Sequence, residues 1–165
     1  MKSRMKQPAL VLPDAMKALL DLEKAIAEAG PPKRTLDLVN LRASQINGCG
    51  YCVDMHARDL KQAGETDERL WAVAAWRESR LFSEAERAAL ALTEAATRLA
   101  DRPDSISDEI WEEAARHFDE AQLGALVVAI ASINAWNRIN ATTRQITGPW
   151  VDQFIANAPA ASQAA

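Results

Sequence analysis

The chain has no surplus of basic charge: 19 lysines and arginines stand against 23 aspartates and glutamates, a net charge of −4. With no basic patch to attract phosphates, nucleic acid is not an expected partner. No apolar run reaches membrane-spanning length, and the opening MKSRMKQPALVLPDAM lacks the apolar stretch of a secretory signal. No membrane partner is expected, and the expected location is cytoplasmic. Strand signals are nearly absent, which leaves nothing from which to build a sheet. Glycine is scarce at 6 residues, and Gly30, Gly48, Gly64 and Gly148 sit where helices should end. Cysteine is scarcer still. The chain has 2, Cys49 and Cys52, and 2 histidines, one of them His56 close by. A reducing cytosol disfavours a purely structural disulfide.

Apolar residues make up 48% of the 165-residue chain, enough for the core of one domain. The punctuation divides it into about seven helices, a compact all-α bundle. They are predicted over Pro13–Ala29, Arg34–Ile46, Cys49 to Gly64, the stretch TDERLWAVAAWRE, Ser83 to about Ala100, from Ser107, and Glu120–Gln145. Ser83 and Glu86 have capping-box spacing, and Pro13 suits a first helical position. The segment LGALVVAIASI is apolar on every side, the mark of a buried central helix. Residues 1–155 read as one domain, and the uncharged 156–165 as a loose tail. Trp71, Trp76, Trp111, Trp136 and Trp150 read as core or interface anchors.

The stretch NGCGYCVDMH, residues 47–56, holds both cysteines and His56. On a helical wheel with Cys49 at zero, Cys52 falls at about 300° and His56 at about 340°. The three share one face, turned inward to a partly enclosed pocket, while Tyr51, Asp54, Arg58, Lys61 and Gln62 take the other. Cys49 falls in the first turn, where unpaired backbone N–H groups and the helix dipole favour a thiolate. His56 lies four residues after Cys52, within reach to accept a proton. Two adjacent thiols permit a redox cycle through a sulfenic acid and a disulfide. Zinc held by Cys49, Cys52, His56 and His117 is an alternative, though one helix face rarely supplies three tetrahedral ligands. Two inert core cysteines are another.

Elsewhere, His117 reads as structural near a helix end, where a cation suits the dipole. Asn134, Asn137 and Arg138 read as inter-helix or inter-subunit hydrogen-bonding groups, with substrate binding as the alternative. Asp37, Asn40, Ser44 and Asn47 share a face of the second helix, and such a polar stripe is ordinarily solvated.

Residues 37–65, DLVNLRASQINGCGYCVDMHARDLKQAGE, resemble the alkyl hydroperoxidase D-like members of the carboxymuconolactone decarboxylase family. WAVAAWRESRLFSEAERAALALTEAATRL at 71–99 and ASINAWNRIN at 131–140 are similar to later parts of the same group. The shared pattern is E-x(11)-C-x-x-C-x(3)-H. The resemblance implies that Cys52 forms the sulfenic acid and that Cys49 resolves it. It also implies that His56 moves protons and that Asp37 stands where the family has a glutamate. Aspartate draws the carboxylate back by about 1.5 Å. Tyr51 is a second departure, replacing a histidine between the cysteines. The implied activity is that of a peroxidase or dithiol–disulfide oxidoreductase acting on alkyl hydroperoxides, with no cofactor. Such a protein would draw on an external dithiol reductant, a lipoyl or thioredoxin-like protein, and assemble as a homo-oligomer, trimer or hexamer. A decarboxylase of small lactones and a non-enzymatic redox sensor are the alternatives, the former disfavoured because that branch does not use the paired cysteines.

Overall fold

Helix after helix, the local signals find their places. A computed structural model describes residues 2–101 and 104–148, and among them there are helices and turns but no strand. The order is α1 (Pro8–Val11), α2 (Pro13–Ala29), α3 (Lys33–Asn47), α4 (Gly50–Gln62) and α5 (Asp67–Ala72). A 3₁₀ segment (Val73–Glu78), α6 (Glu84–Thr97), α7 (Asp108–His117) and α8 (Glu120–Thr143) complete it. The all-α expectation holds, with α2 at its expected bounds. The capping box at Ser83 and Glu86 is formed, and Asp119 and Gln122 make a second at the start of α8. The four-residue α1 was not expected. It is too short to nucleate alone and depends on Pro8 at its start and on the Gln7 side chain as its cap.

The fourth expected helix breaks in two. After Ala72 the chain tightens into the 3₁₀ segment, with Ala75 in a non-helical conformation. The cause is tertiary: Trp76 is buried and its indole N–H donates to Glu94 of α6 at 3.0 Å. The same carboxylate accepts from Arg42 of α3 at 2.7 Å and is paired with Arg77.

The central α3 packs on α4, α6 and α8, while α2 lies along α8. Its Val39 joins Leu92, Leu126 and Ile130 in one cluster, and its Leu38 and Leu41 join Leu60, Val73 and Leu90 in another. Each such side chain taken fully out of water stabilises the fold by about 1.5–3 kcal/mol. The all-round apolar α8 is only partly enclosed. Leu126, Ala129 and Ile130 are buried, but Val127 and Val128 face outward. Of the tryptophans, Trp76 is in the core while Trp71 is 73% exposed and Trp111 44%. Trp150 and the expected tail lie outside the described residues.

Candidate functional site

The turn between α3 and α4 builds the site. Gly48 ends α3 in the left-handed conformation, at φ 65°, where a side chain would be strained. The chain reverses in that one residue, and Cys49 becomes the cap of α4 rather than a member of its first turn. Its sulfur accepts the backbone N–H of Cys52 at 3.4 Å. Both cysteines are free thiols, 2% and 1% exposed. They pack with Ala43, Tyr51 and Ile133, with Met55 and Trp136 at the edge. Gly48 and Gly50 form exposed backbone beside them.

Polar groups of α3 and α8 form a network beside the packed thiols. Asn47 donates to Asn134 at 2.9 Å and to Asn137 at 2.8 Å. Asn137 donates to Ser44 at 3.0 Å, and the Ser44 hydroxyl donates to the Asn40 carbonyl at 2.7 Å. The stripe expected to be solvated is therefore mostly interior, because α8 lies across it. Asn134 and Asn137 make the inter-helix bonds expected of them, while Arg138 turns back to the Asn134 carbonyl of its own helix at 3.1 Å. Asn140, one turn further on, donates to the Cys52 sulfur at 3.4 Å. It was not singled out in the sequence, although it continues the three-residue spacing of Asn134 and Asn137.

The electrostatics separate the two thiols. Hydrogen bonding from Cys49 draws the Cys52 thiol down to about 7 against the opposing cost of burial, with Asn140 and Asn137 adding to the effect. Cys49 moves the other way, raised by its hydrogen bond to Cys52 and by burial. One proton is thus shared by the pair, and the charge settles on Cys52. The helix-start argument had favoured Cys49. The N–H that Cys49 accepts as cap does act in that direction, but its hydrogen bond to the Cys52 sulfur and its burial outweigh it. Tyr51, assigned to the outer face, is buried as well. Burial and the two nearby sulfurs raise its phenol to about 12.

His56 does lie inside, but the structure does not join it to Cys52 or to Asp37. Both ring nitrogens are buried without a hydrogen-bond partner among the described residues. Asp37 is buried and bonds Lys33, one turn earlier, at 2.6 Å. Burial raises its pKa and Lys33 opposes the rise. Burial, then the charge of Asp37, also raises Asp59 on α4. Lys33 and Asp59 thus join this corner without having been picked out in the sequence. His117 pairs with Glu113 on α7 at 2.9 Å, and no group of three or more potential metal ligands forms among the described residues.

Burial lowers the His56 pKa from 6.5 to about 4, with Lys33 repulsion adding to it, so the imidazole is neutral at pH 7. Between those values the unfolded chain binds a proton that the folded one refuses. The associated stability is complete above about pH 6.5 and drains as pH falls toward 4, a loss of about 3 kcal/mol. Urea unfolding at pH 7 and pH 4.5 (about one-half unit above the folded value) should show this as a component missing from His56→Phe. The same pH dependence in both proteins would contradict it.

The carboxymuconolactone decarboxylase family model matches residues 13–95. The uncharacterized YdfG of Bacillus subtilis is 38% identical over 130 residues, 79% of this chain and 87% of its own. A crystal structure from Agrobacterium tumefaciens, of unknown function and provisionally assigned as an AhpD antioxidant defence protein, is 35% identical. It superposes with a TM-score of 0.82 over 90% of this chain and 99% of its own. The alkyl hydroperoxide reductase AhpD of a Bradyrhizobium strain is 52% identical over 40 residues, 24% of this chain and 22% of its own.

Proposed function

Because the chain belongs to the carboxymuconolactone decarboxylase family, we propose that it is a dithiol peroxidase of the alkyl hydroperoxidase D type, with Cys49, Cys52, His56 and Asp37 as its catalytic group. The observation that carries this reading is the unequal thiol pair: Cys52 drawn down to about 7 beside a Cys49 that keeps its proton. A Cys52 thiol drawn down toward neutrality supplies the thiolate, the form that acts as nucleophile.

The Cys52 thiolate attacks one oxygen of a hydroperoxide. The O–O bond breaks, the alkoxide takes its proton from Cys49 and leaves as the alcohol, and Cys52 is left as a sulfenic acid beside a Cys49 thiolate. The Cys49 sulfur then attacks Cys52, water leaves, and a disulfide forms. An external dithiol, lipoyl or thioredoxin-like, restores both thiols by exchange and is itself oxidised. His56 and Asp37 complete the group as a proton relay that runs through bridging waters, because the buried imidazole makes no direct bond to Cys52 or to Asp37. Cytoplasmic conditions suit the cycle because they keep the thiols reduced.

Thiol titration before and after one equivalent of alkyl hydroperoxide tests the reading. Loss of both free thiols, regained with a dithiol, supports it. Two free thiols remaining after the peroxide would end it.

Asp37→Glu should restore the carboxylate reach that the family pattern has. If the relay is slack in the native protein, peroxide turnover rises about threefold or more, since small misplacements of catalytic groups are costly. Asp37→Asn should lower it by about tenfold. Unchanged turnover in both variants would remove Asp37 from the mechanism.

We also propose a homo-oligomer, trimer or hexamer. Trp71, Trp111, Val127 and Val128 are large apolar residues exposed on a single chain. Light scattering at micromolar concentration should report a multiple of 18.1 kDa, and the monomer mass would refute it.

A further inference from the structure

The N-terminal segment and the end of α8 are tied together by hydrogen bonds. Arg4 donates its backbone N–H to the Thr143 carbonyl at 2.9 Å and its guanidinium to the Thr142 carbonyl at 2.8 Å. Gln145 returns a bond to the Met5 carbonyl at 3.1 Å. Gln7 lies further along this segment and does two things with one amide. Its Oε1 accepts the Leu10 backbone N–H at 3.0 Å, which caps α1. Its Nε2 is left to donate, and it meets Asn140 Oδ1 at 3.5 Å.

That sequence of bonds decides the orientation of Asn140. The Leu10 N–H is shared between the Gln7 carbonyl at 2.9 Å and Oε1 at 3.0 Å, and the amide nitrogen in that place would set donor against donor, so the Gln7 oxygen faces Leu10. The Gln7 nitrogen then faces Asn140 and needs an acceptor, which is Oδ1. The other end of the Asn140 amide, a donor, is therefore the end that meets the Cys52 sulfur at 3.4 Å. Asn140 is 3% exposed, so no bulk water competes for the contact.

We propose that Asn140 is a further catalytic residue of the dithiol, its amide N–H stabilising the negative charge on the Cys52 sulfur. Gln7 is the positioning residue that fixes which end of that amide faces the sulfur. The inference rests on the peroxidase reading only for its use. Both residues lie outside the 13–95 span matched by the family model. Other groups facing Cys52 are Cys49 and Tyr51 from α4 and Asn137 from α8, while α3 contributes Ala43 to the same cluster. Cys49 shares the first proton, and Tyr51 keeps its own until about 12. The midpoint near 7 is therefore read cleanly as the first thiol titration.

The test tracks the ultraviolet absorbance of the thiolate against pH in the reduced full-length protein. Limited alkylation with mass-spectrometric mapping assigns the lower midpoint to Cys52. Asn140→Ala should raise it from near 7 by about one pH unit, the worth of one hydrogen bond to a charged group. Gln7→Glu keeps one oxygen for Leu10 and turns the other on Asn140. The Asn140 amide must then rotate to donate to it, leaving its own oxygen against the sulfur, and the midpoint rises similarly. Added to Asn140→Ala, Gln7→Glu should shift nothing further, because it acts through Asn140.

An Asn140→Ala protein that folds and titrates like the native one overturns the proposal. Additive shifts in the double variant overturn the positioning role, since they would mark a charge acting through space. Should Asn140→Ala fail to fold, Asn140→Leu, which keeps the volume without the donor or any new charge, takes its place: an unmoved midpoint overturns the proposal and a raised one sustains it. A native protein whose Cys52 titrates low yet reduces no peroxide ends the peroxidase reading and leaves Asn140 in place.

Discussion

Cys52→Ser is expected to lower peroxide reduction by at least about 10³-fold and to abolish sulfenic-acid trapping, because a serine hydroxyl is not ionised at neutral pH. The two substitutions at Cys49 should part company. Cys49→Ser retains a hydroxyl that can donate to the Cys52 thiolate. It should consume one equivalent of peroxide, stop, and over-oxidise with excess, having no resolving sulfur. Cys49→Ala removes the hydrogen bond that contributes most to drawing Cys52 down from 9 to about 7. Its sulfenic acid should form slowly at pH 7 and recover as pH approaches 9. Rapid quench with a sulfenic-acid probe across that range distinguishes the two. Equal pH profiles for Cys49→Ser and Cys49→Ala would show that Cys49 does not tune its neighbour. Sulfenic acid appearing on Cys49 in the Cys52→Ser protein would reverse the assignment of roles.

The largest effect on stability is expected at Glu94, away from the dithiol. Its carboxylate takes Arg42 Nε at 2.7 Å, Arg42 Nη2 at 2.6 Å and the Trp76 indole at 3.0 Å, and pairs with Arg77 and, at 3.8 Å, Arg98. Burial alone would raise its pKa, but the bonds from Arg77, Trp76 and Arg42 outweigh it and hold the carboxyl below its ordinary range. That stabilisation is present above the ordinary carboxyl value and is lost in acid as pH falls through the lowered one. Glu94→Ala leaves the Arg42 guanidinium, 11% exposed, and the Trp76 N–H without their acceptor. Breaking a buried pair in this way costs about 3–5 kcal/mol, which for a chain of this size lowers Tm by roughly 10 °C. Glu94→Gln keeps one acceptor oxygen and should cost less. Asp21→Ala, which breaks the exposed Lys17–Asp21 pair, should change stability by no more than about 0.5 kcal/mol. Calorimetry on the three variants checks the order. A Glu94→Ala protein as stable as Asp21→Ala would show the network to be energetically idle.

The same network explains why one expected helix was misread. The stretch from Thr66 to Glu78 has good helical composition, yet it tightens after Ala72 to bring Trp76 onto a carboxylate 18 residues away. No local preference records that partner. Tyr51 failed for a related reason. A wheel assigns it to the outer face of α4, but the packing around the start of that helix encloses the phenol as well as the thiols. His56 was placed on the correct face, but its ring nitrogens make no hydrogen bond to Cys52. Sharing a face brings side chains near each other, but the rotamers and the packing decide whether they bond.

The residues alone determined the helical class, most helix ends, and the presentation of Cys49 and Cys52 at a helix start on an inward face. Those features depend on signals within a few residues of each other: a proline at a first turn, a capping box, Gly48 in a left-handed turn, a spacing of three. Tertiary structure decided which thiol carries the charge and what surrounds it. Asn140 lies 88 residues from the sulfur it touches, and Gln7 lies 133 residues from Asn140. A hydrogen bond over such a span exists only when several helices have packed and the termini have met. The periodicity of any one helix records which face turns inward. It does not record which donor from another helix will be waiting there.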